Sequence, residues 1–202
     1  MSLTLSLVVL DIVEIDNLSG MEQLTKLQLD NNIITCIQGL ESLTQLRWLD
    51  LSFNLIEKIE GLENLKQLED LALFSNNIEV LEGLDTLENL NVLSVGKNVM
   101  TNLDESVRYL HGLRNNLEVL KINGNKFRET GEKEYKGRII AYLKNLKYLD
   151  YELIEAKERE KADSDYKAEL ETQTIDNEDN KDTTESKEAY KRLEEAHIHH
   201  TE

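Results

Sequence analysis

Asn32, Asn54, Asn76 and Asn98 are spaced 22 residues apart, and so are Leu24, Leu46, Leu68 and Leu90. A period this short leaves few folds open, because each unit is too small to bury its own apolar face and must stack on its neighbours. The four segments read LTKLQLDNNIITCI, LRWLDLSFNLIEKI, LEDLALFSNNIEVL and LNVLSVGKNVMTNL, all built on L-x-x-L-x-L-x-x-N-x-I-x-x-I/L with minor aliphatic swaps. A fifth unit, LEVLKINGNKF, begins at Leu117 and places its asparagine, Asn125, after a longer step of 27 residues. One period before the first unit, Leu5, Leu7 and Ile15 keep the register but Leu10 takes the asparagine position, so this unit is degenerate. Leu146, Leu149 and Tyr151 start a unit that does not complete.

Side chains alternate along a strand, so L-x-L directs two leucines to one face, where they stack on their counterparts one period away. Each fully buried leucine contributes about 1.5–3 kcal/mol of gross hydrophobic stabilisation. An asparagine carries donors and an acceptor, and one per coil can satisfy backbone groups where the chain turns off the strand. Asn32, Asn54, Asn76, Asn98 and Asn125 are therefore expected to form a structural ladder rather than a chemical site. Gly39, Gly61 and Gly83 recur at one phase, where a turn or a close backbone approach is expected. The leucines that follow are spaced by three, as in Leu62, Leu65 and Leu68, which suits short helical or 3₁₀ turns on the convex side. The pattern is that of a leucine-rich repeat. It predicts an α/β right-handed solenoid of about six repeats, narrow and curved, with short parallel strands on the concave face.

The residues between the inward leucines face out on that concave side and stack into columns. One runs Lys26, Trp48, Asp70, Val92, Val119 and Tyr148; the next runs Gln28, Asp50, Ala72, Ser94, Lys121 and Asp150. A third runs Asp30, Ser52, Phe74, Gly96 and Asn123. Trp48, the only tryptophan, and Phe74 are large aromatics at positions expected to be exposed, as anchors at protein interfaces are. The bland alternative is that Trp48 merely packs along the sheet. The candidate contact set is Lys26, Gln28, Asp30, Trp48, Asp50, Ser52, Asp70, Phe74, Val92, Ser94 and Lys121.

Past Asn125 the pattern changes. Lys133 to Leu143 carries Tyr135, Ile139, Ile140 and Leu143 at helical spacing, and LKYLDYELI supplies a last strand. Together they form a C-terminal lid, which closes a repeat domain expected over residues 1–154. Residues 155–202 hold 16 acidic and 8 basic residues and only four from Leu, Ile, Val and Phe, too little to build a core. This acidic tail is expected to be helical, coiled or partly disordered. Glu158, Ala162, Tyr166 and Leu170 mark one helical face, and Ser186 to His197 a second stretch joined through TQTIDNEDNKDTTES. Either helix could fray in solvent or order on a partner. The second pattern is still running where the sequence ends, as in a piece of a longer protein.

Composition narrows the partners. With 40 acidic and 23 basic residues the formal charge is −17, a field that repels a phosphate backbone and favours basic protein surfaces over nucleic acid. No run approaches the roughly 18 apolar residues of a membrane span, and Met1 to Leu10 lacks a basic n-region, so neither membrane insertion nor a secretory leader is expected. Cysteine occurs once, which fits a reducing compartment, and the absence of proline fits repeats joined by asparagine- and glycine-based turns. Phosphate-binding, dinucleotide, zinc-protease and nucleophile-elbow motifs are all missing, so no catalysis and no cofactor are expected. Cys36 has no histidine in reach and reads as a small packing residue rather than a nucleophile. His111 stands alone as a surface or packing residue. His197, His199 and His200 could hold a metal but read as a solvated cluster.

Several strings carry a narrower likeness. LQLDNNIIT, LRWLDLSFNLIEKIEGLENL, LEDLALFSNNI, LSVGKN and AYLKNLKYLDYELI, in that order over residues 20–155, resemble the dynein regulatory complex subunit 3 family of the axonemal nexin link; WLDLSFN and YLDY discriminate best. The repeat unit also resembles the leucine-rich regulatory subunit of protein phosphatase 1 and the leucine-rich light chain of outer-arm dynein. The resemblance implies a non-enzymatic scaffold in the cytoskeleton of motile cilia and flagella. Its implied partners are coiled-coil axonemal proteins, with possible contact to dynein or doublet microtubules. The alternative it leaves is an adaptor of protein phosphatase 1 or of an outer-arm dynein heavy chain.

Overall fold

A computed structural model describes residues 3–113, 117–127 and 132–171. The apolar column is read out coil by coil. Strands β1 (Leu3–Ser6), β2 (Leu24–Gln28), β3 (Trp48–Asp50), β4 (Asp70–Ala72), β5 (Val92–Ser94), β6 (Val119–Lys121) and β7 (Tyr148–Leu149) run parallel in sequence order, and β8 (Glu152–Leu153) closes the sheet antiparallel to β7. Neighbouring strands pair one period apart, Leu27 with Leu49, Leu49 with Leu71 and Leu71 with Leu93, so the inward leucines form a continuous stack with no solvent exposure. This is the right-handed α/β solenoid expected from the period.

The outer side of each regular coil is two successive tight turns. Leu65 N–H donates to Leu62 O and Leu68 N–H to Leu65 O, both at 2.9 Å, and the coils of Leu43 and Leu87 repeat the pattern. The spacing of three is the signature of such i→i+3 bonding. Every leucine of the series is buried, so the turns pave the convex side of the core.

Glycine sets the coil-to-coil distance. Gly61 has φ +68°, and a Cβ there would lie 2.4 Å from the carbonyl oxygen of Ile37 in the coil before. Gly39 and Gly83 meet Ile15 and Ile59 in the same way. Only a residue without Cβ allows both the left-handed backbone and this approach.

The asparagine ladder binds each coil to its predecessor. Asn54 Oδ1 accepts from Ile34 N–H at 3.0 Å, while its Nδ2 donates to Leu29 O and Leu51 O at 3.0 Å. Asn76 and Asn98 repeat the scheme, Asn32 holds the degenerate first coil through Leu10 N–H and Ile12 N–H, and Asn125 holds Met100 N–H. The next rung is Asp150, whose Oδ1 accepts from Ile122 and Asn123 N–H and whose Oδ2 accepts from the Tyr135 hydroxyl at 2.6 Å. Burial and the Asp150 charge push the Tyr135 phenol up, so it stays a donor.

The 27-residue step contains α1 (Leu103–Gly112), which replaces the two outer turns and was not anticipated. Asn102 caps it by accepting from Glu105 N–H at 3.1 Å, and Leu103, Val107 and Leu110 bury its inner face. Helix α2 (Glu132–Tyr142) is the expected lid, with Ile139 and Ile140 buried. Helix α3 (Ala156–Asp165) lies on the far side of the expected boundary after residue 154, yet it packs on α2 with Ala162 buried. Arg159 donates to the carbonyls of Ile140 in the last turn of α2 and of Leu143 and Leu146 beyond it, satisfying groups a helix terminus leaves open. Arg138 joins Asp104 of α1 to Glu169, and the Tyr166 ring lies over Gly137. Residues 156–171 thus extend the cap. The Ser186–His197 stretch, the linker before it, and His197, His199 and His200 lie outside the described residues.

Candidate protein-binding face

The strand register assembles the columns read from the period. Lys26, Trp48, Asp70, Val92, Val119 and Tyr148 stand side by side across β2 to β7, and Gln28, Asp50, Ala72, Ser94 and Lys121 form the next row. The third row continues past the strands, where Leu29 N–H bonds Asp50 O, Leu51 N–H bonds Ala72 O and Phe53 N–H bonds Phe74 O. Lys26 is exposed, and Gln28, Asp30, Trp48, Asp50, Asp70, Phe74, Val92 and Lys121 are half-buried. Ser52 and Ser94 correct the expectation, since both are buried at 7% exposure. They are short side chains beside taller neighbours, Phe74 next to Ser52 and Lys121 next to Ser94.

Trp48 stands opposite Asp70, its partner across the β3–β4 pairing. Burial pushes the Asp70 carboxyl above the ordinary aspartate value and repulsion from Asp50 adds to this, while Lys121, Trp48 and Lys26 pull it back down. The indole, half-buried, presents a broad apolar surface on this floor.

The groove over this floor is about 1210 Å³ and is lined by Trp48, Asp70, Val92, Tyr148 and Leu153, among others. Its rim is a row of alternating charge in which Arg47 pairs with Glu69 and Lys147 pairs with Glu118 at 2.7 Å. The Lys147 hydrogen bond holds Glu118 below the usual carboxylate range. Such exposed pairs set the pattern of the rim more than the stability of the fold. The β7–β8 turn closes the far end with Tyr148, Tyr151 and Leu153, which are 44–64% exposed, and Lys121 Nζ sits 4.7 Å from the Tyr151 ring centroid.

The sequence reading missed Phe53. Its ring is 48% exposed and meets Phe74 edge-on at a centroid distance of 5.6 Å, while Lys97 Nζ lies 5.3 Å from the Phe74 centroid. Phe53 precedes a ladder asparagine, and its φ is +55°, as are the nearby values of Asn31, Ser75 and Lys97 at that position. A bulky aromatic in left-handed backbone is unfavourable, so the exposed Phe53–Phe74 pair is kept against a local cost. The signal that finds it is the side chain at the residue before each ladder asparagine.

Other candidates play no part in this face. Cys36 is exposed, so the packing role expected of it is not met. His111 is exposed and sits 2.9 Å from Tyr142 O. Among the described residues no group of three or more His, Cys, Asp or Glu is placed to hold a metal ion, and no helix is long and apolar enough to cross a membrane.

A family model described as leucine-rich repeat matches residues 40–177. No curated protein matches the sequence. An internalin from Listeria monocytogenes, InlF, is 28% identical with a TM-score of 0.59 over 71% of this chain and 39% of its own, so the chain spans about two fifths of that protein. The Drosophila melanogaster SNF/U2A′ complex aligns over 86% of both chains at 20% identity and TM-score 0.54, a likeness of fold. Listeria InlJ aligns at 21% identity over 78% of this chain and 37% of its own, TM-score 0.52, again a likeness of fold.

Proposed function

Because the chain belongs to the leucine-rich-repeat family, we propose that it is a non-enzymatic scaffold whose concave face grips a helical segment of another protein. The observation that carries this reading is the half-buried Trp48, followed past Asp70 by an apolar run from Val92 and Val119 to the exposed Tyr148 and Leu153. Four strand steps separate Trp48 from Tyr148, about 19 Å, close to three and a half turns of helix. Asp30, Asp50 and Asp70 lie diagonally across the same floor, which favours a partner with a basic side chain in its middle turn.

The assembly we propose for it is the nexin-dynein regulatory complex of motile cilia, with localisation to the axoneme and control of ciliary beating as its role. The support is the ordered set of strings above, WLDLSFN and YLDY foremost, of which Trp48, Asp50 and Tyr148 are also floor residues. Affinity purification from ciliated cells with the wild-type chain and Trp48→Ala tests both levels. Coiled-coil axonemal subunits retained by wild type and lost by the folded variant support them, with a loss of about 2 kcal/mol, near thirtyfold in Kd. Recovery of a phosphatase catalytic subunit or a dynein heavy chain instead would move the protein to the adaptor reading. Equal retention by both chains would remove the concave face as the binding site.

A further inference from the structure

The two rims of the concave sheet hold their cations differently. At the N-terminal ends of the strands Arg47 pairs with Glu69 and Lys147 with Glu118. At the C-terminal ends Lys97 and Lys121 have no carboxylate of a described residue at ion-pair distance and stand over aromatic rings instead. Lys97 Nζ lies 5.3 Å from the centroid of Phe74, and Lys121 Nζ lies 4.7 Å from that of Tyr151. Phe53 meets Phe74 edge-on, so an arc of three rings and two ammonium groups runs from the end of β3 to the end of β7.

Two of the rings are held there against backbone preference. Phe53 has φ +55° and Tyr151 φ +75°, and both are open to solvent, at 48% and 64% exposure. Asp150 and Tyr151 are the two residues between β7 and β8 and both have positive φ, a hairpin loop in which glycine is the usual second residue. A strained aromatic that faces solvent adds nothing to the core, so its place at the surface points to a contact made there. Gly96 opens the middle of the arc, since a Cβ would sit 2.9 Å from Asn123 O and 3.1 Å from the Phe74 ring.

Charge sets the occupant. An ammonium group over a ring face keeps donors free, and an incoming carboxylate supplies the acceptor they lack. The carboxylates on these strand ends are already engaged: Asp50 accepts from Ser52 N–H, and Asp150 from Ile122 N–H, Asn123 N–H and the Tyr135 hydroxyl. The rest of the acidic surface is screened within about 8 Å at physiological salt, so the contacts at the arc decide. Two lysines are too few to track a phosphate backbone, which carries a charge at every nucleotide.

We propose that this arc binds an acidic, extended segment of another protein. Four strand steps from β3 to β7 span about 19 Å, which roughly six extended residues cover. Alternate residues of the segment face the arc. One lays an aromatic or aliphatic side chain on Phe53 and Phe74 beside Gly96, and the next two on that side set carboxylates against Lys97 and Lys121. None of the five arc residues lines the groove over Trp48 and Tyr148, and the site does not depend on what fills that groove.

The test uses the full chain and two labelled nonapeptides, each with a central phenylalanine and serine at every second position. The remaining positions are glutamate in one and lysine in the other. At physiological salt the glutamate peptide should bind at least tenfold more tightly in fluorescence anisotropy and slow hydrogen exchange over the residues just after β3 to β6. Lys97→Glu and Lys121→Glu should each weaken it at least tenfold with an unchanged melting temperature, whereas Lys66→Glu, the same change of charge at an exposed convex lysine, should not. Phe53→Asn, which leaves the charges in place, should weaken it as well. Equal binding of the two peptides, indifference to the lysine changes, or protection confined to the strand row of Trp48 would overturn the proposal. So would a labelled oligothymidylate that binds more tightly than the glutamate peptide and displaces it, since the arc would then be a phosphate site.

Discussion

Asp70, half-buried, stands directly opposite Trp48 across the β3–β4 pairing, with Asp50 on the neighbouring strand. Burial and the Asp50 charge both count against ionising it. Its folded-state pKa lies above the ordinary value of 3.8, so between the two values the folded chain binds more protons than the unfolded one. Stability from this group therefore falls as pH rises through that window, and the ionised carboxylate is a net cost at pH 7. Asp70→Asn keeps the shape of the side chain and removes the charge. Urea titrations should show the variant more stable at pH 7, with the advantage shrinking as pH falls toward 3.8. A variant less stable at pH 7 would contradict this balance.

The ladder has strong and weak rungs. Asn76→Ala leaves the buried Ile56 N–H without its acceptor, at a cost of about 1–3 kcal/mol, while Leu51 O and Leu73 O keep Asn54 and Asn98 as donors. Asn32→Ala frees Leu10 and Ile12 N–H in the part-buried first coil, where water can replace the side chain. Chemical denaturation should rank Asn76→Ala as the more damaging by about 2 kcal/mol. Equal losses would mean that the rungs do not derive their value from burial.

Glycines separate in the same way. Gly61→Ala drives a Cβ into Ile37 O and keeps φ at +68°, so it meets both a backbone clash and the left-handed penalty of about 1–2 kcal/mol. Gly20, at φ +85° with nothing within 4 Å of its Cβ position, meets the second term alone. Thermal melts should place Gly20→Ala several degrees below wild type and Gly61→Ala much further below it.

Much of this was readable because a period of 22 fixes which residues become neighbours. The columns through Trp48 and Asp50, the ladder asparagines and the glycine contacts all follow from register alone. Side-chain height does not, and Ser52 and Ser94 are buried because Phe74 and Lys121 rise beside them. Helix α1 was legible in principle, since Asn102 precedes Asp104 and Glu105 and Leu103, Val107 and Leu110 share one face. The docking of α3 was not. It depends on Arg159 reaching the end of α2 and on Gly137 leaving room for Tyr166, pairings between segments that share no repeat.

Phe53 separates stability from binding. Phe53→Asn relieves a left-handed aromatic costing about 1–2 kcal/mol and gives up an edge-on contact with Phe74 of about 0.5–1.5 kcal/mol, so the two effects nearly offset. The expected outcome is an unfolding midpoint close to wild type with weaker capture of the concave-face partner. A large loss of stability would make Phe53 a structural residue.

The most direct test of the concave-face account is residue-resolved hydrogen exchange of the full chain, free and bound to the partner recovered from ciliated cells. Slowed exchange should fall on β3 to β7 and on the residues just after β3 and β4, with the convex turns around Leu43, Leu65 and Leu87 unchanged. Protection confined to those convex turns, with the strands exchanging as in the free chain, would contradict it.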